Sequence, residues 1–358
     1  MTSIRQPRTA AGRPHPRRAA DRLVQHIVSG WRCQAIHAAV QLGVTDALAD
    51  SACTSDELAS QLDCDPDGLA RLLRAMCTLG LTKSKPDGRF ALTPMGHLLC
   101  YRQDDGGPGL RALALWWGGP LWSLWGELSF SVKTGRSARQ KQTGEAGYGY
   151  LEQDRALPAV FHDAQHAMTA LVLDDLVRWP GWSGVRTLVD VGGGHGQLAL
   201  GMLKSHRALQ AVVLDQAHAE PGARQAIDAA GLAGRCRFKA GSFMDRIPAG
   251  ADVYILKSIL HNWNDAACAR ILQCCAQAVP AHGKLLLIER VQPVRLRTNS
   301  RDQAVTRTDL NMLAGLGGRE RTEAQYGALL AAAGFTIGQT QPLSFEFGLI
   351  EARPASTC

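Results

Sequence analysis

The chain has 358 residues, of which 46% are hydrophobic and 20% are charged, and its formal net charge is +7. These proportions are ordinary for a globular protein of two or three domains. They exclude a membrane-spanning chain, because no apolar run approaches the about 20 residues that a transmembrane helix needs. The N-terminal segment has arginines but no apolar stretch behind them, so we expect no secretory signal and a cytoplasmic protein.

Five of the seven surplus positive charges lie in the first 20 residues, ahead of the first acid, Asp21. Mixed with proline and alanine, they predict a disordered basic arm over residues 1–20. The remainder of the chain is close to neutral, so we do not expect nucleic-acid binding beyond unspecific contact of this arm with phosphate. The five arginines are Arg5, Arg8, Arg13, Arg17 and Arg18.

Residues 21–105 are predicted to form short helices followed by a hairpin. In "TSDELASQLDCDPDGLARLLRAMCTLGL", Thr54 or Ser55 can cap a helix whose first turn is acidic. The turn "DCDPDG" precedes a second helix, and "TKSKPDGRFAL" is typical of a hairpin, so the order is that of a winged helix. The second helix offers only Arg71 and Arg74 for reading bases, which favours packing or dimerisation over DNA recognition.

The next segment, residues 106–182, is rich in tryptophan and predicts a helical connector that contributes to a substrate pocket. Residues 183–355 then alternate short apolar runs with amphipathic helices. The runs "TLVDV", "AVVLD", "CRFKAG", "VYILKS" and "KLLLIERV" predict strands, and a last pair follows "AAGFTIGQTQPL". The pattern predicts an α/β domain with a mostly parallel sheet.

The stretch "TLVDVGGGHGQ", residues 187–197, indicates a strand that ends in a nucleotide-binding turn. A dinucleotide fingerprint starting at Gly194 stays open, but Asp190 followed by alternate glycines fits better. A carboxylate there would repel a pyrophosphate and attract the cationic amine and sulfonium of S-adenosylmethionine. The next strand ends in Asp215, an acid that can accept the ribose hydroxyls of an adenosine cofactor.

Two further stretches carry a resemblance: "DVYILKSILHNWNDAACARILQCCAQAVPAHGKLLLIERV" and "GGRERTEAQYGALLAAAGF". Over about residues 20–352 the chain resembles the class I S-adenosylmethionine-dependent O-methyltransferases of the plant caffeic acid type. Their bacterial relatives methylate polyketide, phenazine and carotenoid-precursor hydroxyls. The resemblance implies a Rossmann-like, seven-stranded methyltransferase domain behind a winged-helix dimerisation domain, and therefore a homodimer that releases S-adenosylhomocysteine.

The resemblance also implies roles for individual residues. His261 is the general base, and Glu289 and Glu320 flank its ring. Ser242 stands where the family usually has an acid that contacts the adenine amine, so that contact is weakened. The predicted cofactor residues are Asp190, Gly192, Gly194, Asp215, Ser242, Phe243 and Lys257. The predicted acceptor residues are Phe161, Gln165, Met168, Ser258, Asn311, Met312 and Gly315.

The expected chemistry is consistent with these residues. An imidazole, with an ordinary pKa of about 6.5, suits removal of a proton from an attacking hydroxyl, and a carboxylate on its other nitrogen fixes the tautomer. We expect no metal. The small side chains of Ser258 and Gly315 favour a polycyclic phenol, of the phenazine or aromatic polyketide type, as acceptor. The alternatives are a family relative that performs decarboxylation or hydroxylation, a winged-helix regulator that senses a ligand, and a nicotinamide oxidoreductase.

Overall fold

The computed structural model describes residues 16–101, 109–145, 147–152 and 157–355. The chain divides into two compact units, residues 1–103 and residues 104–358. Within the described ranges, no helix is both long and apolar enough to cross a membrane.

The first unit has six helices and a two-stranded hairpin among its described residues. They are α1 (Pro16–Ile27), α2 (Ser29–Gln41), α3 (Val44–Ala47), α4 (Ser55–Leu62), α5 (Pro66–Thr78), β1 (Thr82–Ser84), β2 (Phe90–Leu92) and α6 (Pro94–His97). The succession of α4, α5 and the β1–β2 hairpin is the predicted helix, turn, helix and hairpin.

Capping residues explain where α4 and α5 begin. The Thr54 side chain accepts the Glu57 amide at 3.2 Å, and the Glu57 carboxylate accepts the Thr54 amide at 2.8 Å. This reciprocal capping box confirms Thr54 as the cap. Asp65 caps α5 with a single hydrogen bond, accepting the amide of Gly68 at 2.7 Å.

Helix α1 begins inside the predicted basic arm. Its first residue is Pro16, which suits a helix start because the N–H that proline lacks would have no helical partner there. Residues 16–20 are therefore helical, which corrects the arm boundary predicted at residue 20. Residues 1–15, with three of the five arginines of the predicted arm, lie outside the described residues.

The second unit opens with five described helices, all within the predicted connector. The rings of Trp116 and Phe161 meet edge to face at 5.4 Å, an arrangement that aromatic pairs prefer. Their apolar cluster also contains Tyr150 and Ala314, so the connector shares a core with later parts of this unit. The helices are α7 (Arg111–Gly118), α8 (Trp122–Gly126), α9 (Leu128–Thr134), α10 (Ala138–Thr143) and α11 (Leu157–Val177).

Seven strands in the order β5-β4-β3-β6-β7-β10-β9 form the central sheet of this unit, and a sheet of seven strands was predicted. The first five strands of that order are parallel, and β10 runs antiparallel to both of its neighbours. The short β8 pairs with the end of β7. The strands are β3 (Thr187–Val191), β4 (Gln210–Asp215), β5 (Cys236–Ala240), β6 (Val253–Lys257), β7 (Lys284–Gln292), β8 (Arg321–Thr322), β9 (Phe335–Pro342) and β10 (Phe347–Pro354).

Five helices accompany these strands among the described residues: α12 (Gln197–Ser205), α13 (Glu220–Ala229), α14 (Asp265–Ala278), α15 (Ser300–Gly315) and α16 (Glu323–Ala332). The chain builds β3, β4 and β5 outward in one direction and then returns to place β6 beside β3. Ligands of open parallel sheets bind at the carboxyl edge where the strand order reverses in this way. The glycine turn after β3 and the loop after β6 both lie at that edge.

Candidate functional site

The glycine turn between β3 and α12 requires glycine for two reasons. Gly192, Gly194 and Gly196 have φ values of 71°, 55° and 81°, in the left-handed region that glycine adopts at no steric cost. A methyl group at position 192 would lie 2.5 Å from Ile259 Cδ1 and 3.3 Å from Phe243 Cε1. The turn therefore packs directly against the loop after β6 and against the predicted adenine-contacting phenylalanine.

Asp215, the last residue of β4, faces the turn. Its Oδ2 accepts the amide of Gly194 at 2.7 Å, and its Oδ1 accepts the amide of Gln216 at 2.7 Å. An ionised carboxylate has about four acceptor positions, so both oxygens retain capacity for hydroxyl donors. Asp215 therefore lies at the end of β4 beside the glycine turn, and its proposed contact with ribose stays a prediction.

Asp190 is placed differently from our expectation. Only 2% of it is exposed, and its Oδ2 accepts the amide of Ala199 in the first turn of α12 at 3.3 Å. Burial raises the pKa of Asp190 to about 7. We expected this acid to point at the ligand. Instead, it lies beneath the turn and supports the start of α12, because the last four residues of β3 are all buried.

The remaining predicted cofactor residues surround the same edge. The Oγ of Ser242 accepts the amide of Met244 at 3.1 Å, so this hydroxyl stabilises the turn in which Ser242 lies. The ring of Phe243 meets Trp263 edge to face at 6.3 Å, which fixes its orientation beside Gly192. Lys257 ends β6, and burial lowers the pKa of its ammonium to about 8.

A buried histidine between two glutamates follows β6. The Nδ1 of His261 lies 3.1 Å from Glu320 Oε1 and 3.5 Å from Glu289 Oε2. His261 is 6% exposed, Glu320 is 2% exposed and Glu289 is fully buried. The structure thus brings together the three predicted catalytic residues, which come from a turn after β6, from β7 and from the loop before β8.

The two carboxylates favour the protonated, positively charged form of His261. Burial alone would lower the pKa of His261, but the negative charges of Glu289 and Glu320 outweigh it and raise the pKa above its ordinary value. Because a carboxylate only accepts hydrogen bonds, Nδ1 carries the proton and Nε2 is the basic nitrogen of the neutral ring. One oxygen of each glutamate, Glu289 Oε2 and Glu320 Oε2, has no hydrogen-bond partner among the described residues.

Glu289 also fixes the loop that carries the histidine. Its Oε1 accepts the amides of Ile259 and Leu260 at 3.0 Å and 2.8 Å. Burial raises the pKa of Glu289, and these two amides and the His261 charge act against that rise. Glu289 therefore contacts both the backbone before His261 and the imidazole ring of His261.

Two residues near Glu320 were not predicted. A methyl group on Gly318 would overlap the carbonyl oxygen of His261, so only glycine allows the two segments to touch. Arg321 is 1% exposed and donates to the carbonyls of Leu260 and Trp263 at 3.0 Å and 2.8 Å. Its Nε and one terminal nitrogen also donate to Oδ1 of Asp265, at 3.0 Å and 2.7 Å. In the sequence, this arginine looks like a surface charge among charged neighbours.

The predicted acceptor residues of α11 differ in exposure. Phe161 and Met168 are half-buried and pack against the apolar cluster of the connector helices. Gln165 is exposed on the same helix. The structure places the two apolar residues in the protein interior and the amide on its surface.

The other predicted acceptor residues lie after β6 and on α15. Ser258 has φ of 55°, a strained conformation for a residue other than glycine and one that clusters at functional sites. Asn311 Oδ1 accepts from Trp125 Nε1 at 3.2 Å, and the carbonyl of Met312 accepts the amides of the three residues that follow α15. A methyl group on Gly315 would have no heavy atom within 4 Å, so buried open space adjoins it.

The fold and the site define a class of protein. A family model for the O-methyltransferase domain matches residues 125–336, and one for the O-methyltransferase dimerisation domain matches residues 24–102. The chain therefore belongs to the S-adenosylmethionine-dependent O-methyltransferases and is an enzyme of that class. Membership favours methyl transfer over the nicotinamide oxidoreductase and the ligand-sensing regulator.

Two relatives show how similar this chain is to individual members of the family. The chain is 33% identical to the phenazine O-methyltransferase PhzM of Lysobacter antibioticus over 93% of this chain and 95% of that protein. The solved structure of LaPhzM has a TM-score of 0.86 and 33% identity, covering 94% of this chain and 99% of that one. NcsB1 from neocarzinostatin biosynthesis, solved with S-adenosylmethionine and 2-hydroxy-5-methyl naphthoic acid, has a TM-score of 0.73 and 32% identity, covering 90% and 95%.

The residues present fit S-adenosylmethionine. The glycine turn provides exposed backbone beside Phe243, and Asp215 supplies acceptors for ribose hydroxyls at the end of β4. The ligand atoms of His261, Glu289 and Glu320 lie within 4.8 Å of one another, a spacing that a metal ion could also use. The family's methyl transfer implicates no metal there, so these groups are available to handle a proton.

Proposed function

We propose that this enzyme methylates a hydroxyl of a polycyclic aromatic metabolite, of the phenazine or aromatic polyketide type, with His261 as the general base. The observation that carries the proposal is the contact of Nδ1 of the buried His261 with Glu320 at 3.1 Å. That contact commits Nδ1 to holding a proton and leaves Nε2 to accept one.

His261 takes the proton of the acceptor hydroxyl on Nε2 as the oxygen attacks. The ring then becomes an imidazolium, and the charges of Glu289 and Glu320 stabilise it at the moment it forms. S-adenosylmethionine, when bound, supplies a methyl group on a sulfonium sulfur. The protein's further contribution is to align the hydroxyl with that methyl group, and well-oriented groups react far faster than free ones.

We propose that the predicted cofactor and acceptor residues have divided roles. Asp215 would hold the ribose, Gly192 and Gly194 would allow close backbone approach, and Phe243 would pack on the adenine. Lys257 would reach the methionine end, while Asp190 would act indirectly by supporting the turn. The acceptor would lie against residues of α11 and α15 and the loop after β6: Phe161, Gln165, Met168, Ser258, Asn311, Met312 and Gly315.

The test is release of S-adenosylhomocysteine across a panel of phenazine, naphthoate and polyketide phenols. We expect His261→Ala to lower kcat about 1000-fold while leaving cofactor binding unchanged, since general base catalysis contributes about 10²–10⁴-fold. His282→Ala is the matched control, because that histidine is exposed and pairs with Asp252 at the opposite edge of the sheet. Equal rates for His261→Ala and the wild type would contradict the proposal.

We also propose a cytoplasmic homodimer formed through residues 21–105. The nine described cysteines are all free thiols, as in a reducing compartment. Helices α1 and α2 present exposed apolar side chains that a second subunit could cover. A monomer in light scattering would contradict the dimer. The exposed residues are Leu23, Val24, Ile27 and Trp31.

A further inference from the structure

A buried arginine, Arg139, has no anionic partner among the residues that the structure describes. It lies in the first turn of α10 and is 5% exposed. Among the described residues, no carboxylate lies within ion-pair distance of its guanidinium, and its Nε has no hydrogen-bond partner. Burial lowers the pKa of this guanidinium, which means that the surroundings disfavour its charge.

Aromatic rings surround this arginine. The guanidinium carbon lies 3.8 Å from the centre of the Tyr150 ring and 5.8 Å from that of Trp116. Contacts of this kind offset part of the cost of burying a cation. They supply no hydrogen-bond acceptor for the guanidinium, which has five N–H donors.

Arg321 provides an internal comparison, because it is also buried but has hydrogen-bond partners at all three of its nitrogens. It donates to two carbonyls, and two of its nitrogens donate to Oδ1 of Asp265. A buried guanidinium in this protein is thus stabilised in the ordinary way when its role is structural. Arg139 lacks those partners, so the group that would satisfy it is not part of the described chain.

The position of Arg139 links it to the acceptor side of the site. Ser137, two residues earlier, donates to the carbonyl of Gly315 at 2.5 Å, and buried open space adjoins Gly315. Trp116, which Arg139 overlies, contacts the ring of Phe161. Gly315 and Phe161 are both acceptor residues of the proposed function.

Tyr148 adds a further aromatic ring to this group. Its ring lies 5.7 Å from that of Phe161. Burial raises the pKa of its hydroxyl. Successive contacts therefore join Arg139 to the rings of Trp116, Phe161 and Tyr148.

We propose that Arg139 binds a carboxylate of the acceptor, so that the preferred substrate is an aromatic acid that carries the methylated hydroxyl on the same ring system. This inference rests on the proposed function and names the substrate class of its acceptor site. A planar carboxylate matches the two parallel N–H groups of a guanidinium, and the surrounding rings would cover the planar remainder of the ligand.

The test measures binding to the enzyme loaded with S-adenosylhomocysteine, by calorimetry. The ligands are hydroxyphenazine carboxylates and hydroxynaphthoates in several substitution patterns, each compared with its uncharged primary carboxamide. We expect at least one carboxylate to bind at least about 30-fold more tightly than its amide, since breaking a desolvated charge pair costs about 2 kcal/mol or more.

Arg139→Met should reduce this preference to less than about threefold while leaving the affinity for the amide unchanged. Its thermal midpoint should not fall, because methionine replaces an unpaired buried charge with an apolar chain of similar length. Arg139→Lys, which keeps the charge without the planar fork, should retain only part of the preference. The matched control is Arg136→Met, since Arg136 is exposed three residues earlier, and it should bind both ligands like the wild type.

Three results would overturn the inference: no carboxylate preference in the wild type, an equal loss of both affinities in Arg139→Met, or no binding of any ligand pair. Methyl release is scored separately on the same ligands. Tight carboxylate binding without methyl release would contradict the proposed function and leave the role of Arg139 in place.

Discussion

The glycine turn and the histidine cluster lie at the same edge of the sheet but are built differently. The turn is contiguous in sequence, from Asp190 to Gly196, and depends on backbone conformations and on space. The cluster joins His261, Glu289 and Glu320 from distant parts of the chain and depends on buried charge. The comparison predicts that added volume harms the turn, whereas lost charge harms the cluster.

Gly318 is the one exception to that division that we expect, because a glycine is also required where this residue touches the cluster. In Gly318→Ala the new methyl group would overlap the His261 carbonyl and move the backbone that carries the base. We expect kcat to fall about 100-fold, as small displacements of catalytic groups do. Steady-state kinetics measures kcat, and thermal unfolding of the same variant measures its stability.

Gly315→Ala is the control for this substitution, since its methyl group would meet no heavy atom within 4 Å. We expect an unchanged thermal midpoint and, for the bulkiest acceptors alone, a raised KM. If both alanine variants behaved alike, the contact between Gly318 and His261 would not be what positions the base.

We expect a smaller effect from removing the charge of Asp215, the carboxylate that contacts the glycine turn. In Asp215→Asn the turn loses a carboxylate that accepts the amide of Gly194 and faces the proposed ribose site. We expect the Kd for S-adenosylmethionine to rise about tenfold or more, because a hydrogen bond to a charged group contributes about 1.5–3 kcal/mol. Calorimetry with S-adenosylhomocysteine gives the same comparison without turnover, and an unchanged Kd would remove Asp215 from the cofactor site.

Asp190→Asn should have the smallest effect on cofactor binding, less than about threefold in Kd. The acid lies beneath the turn, and the amide oxygen of asparagine can still accept from Ala199. The folded-state pKa of about 7 is above the unfolded value, so the native state holds an extra proton between about pH 4 and pH 7. Stability contributed by this group therefore falls as the pH rises through 7, and in the variant the thermal midpoint should vary less between pH 5 and pH 8. A large loss of cofactor affinity would instead mean direct contact.

The sequence predicted the glycine turn better than it predicted where the side chains beside that turn point. A strand, an acid and alternate glycines have local consequences, so the turn could be predicted from the sequence. The direction of Asp190 could not, because nearly all of β3 is buried and no polar face marks the outside. Strand patterns of that kind do not distinguish the two faces.

Other residues of the site were missed because their roles depend on long-range contact. Arg321 stands beside Glu320 and Arg319 in the sequence, as a surface residue would, yet it is 1% exposed and holds the loop of His261. Gly318 was missed as well, because its tight contact with the His261 carbonyl joins distant parts of the chain. Arg139 gave no signal at all, since one arginine in a polar stretch is ordinary until its burial is seen.

The most direct test of the central claim, that Glu320 and Glu289 tune His261 as the base, is the pH dependence of kcat in wild type and Glu320→Gln. The base must be neutral to act, so kcat should rise with pH through the pKa of His261, which the carboxylates hold above its ordinary value. Removing one negative charge lowers that pKa, so in Glu320→Gln the rise should move to lower pH while the plateau rate falls. Glu323→Gln, at an exposed acid nearby, should leave the profile unchanged. A rise at the same pH in wild type and Glu320→Gln, or one displaced to higher pH, would contradict the account.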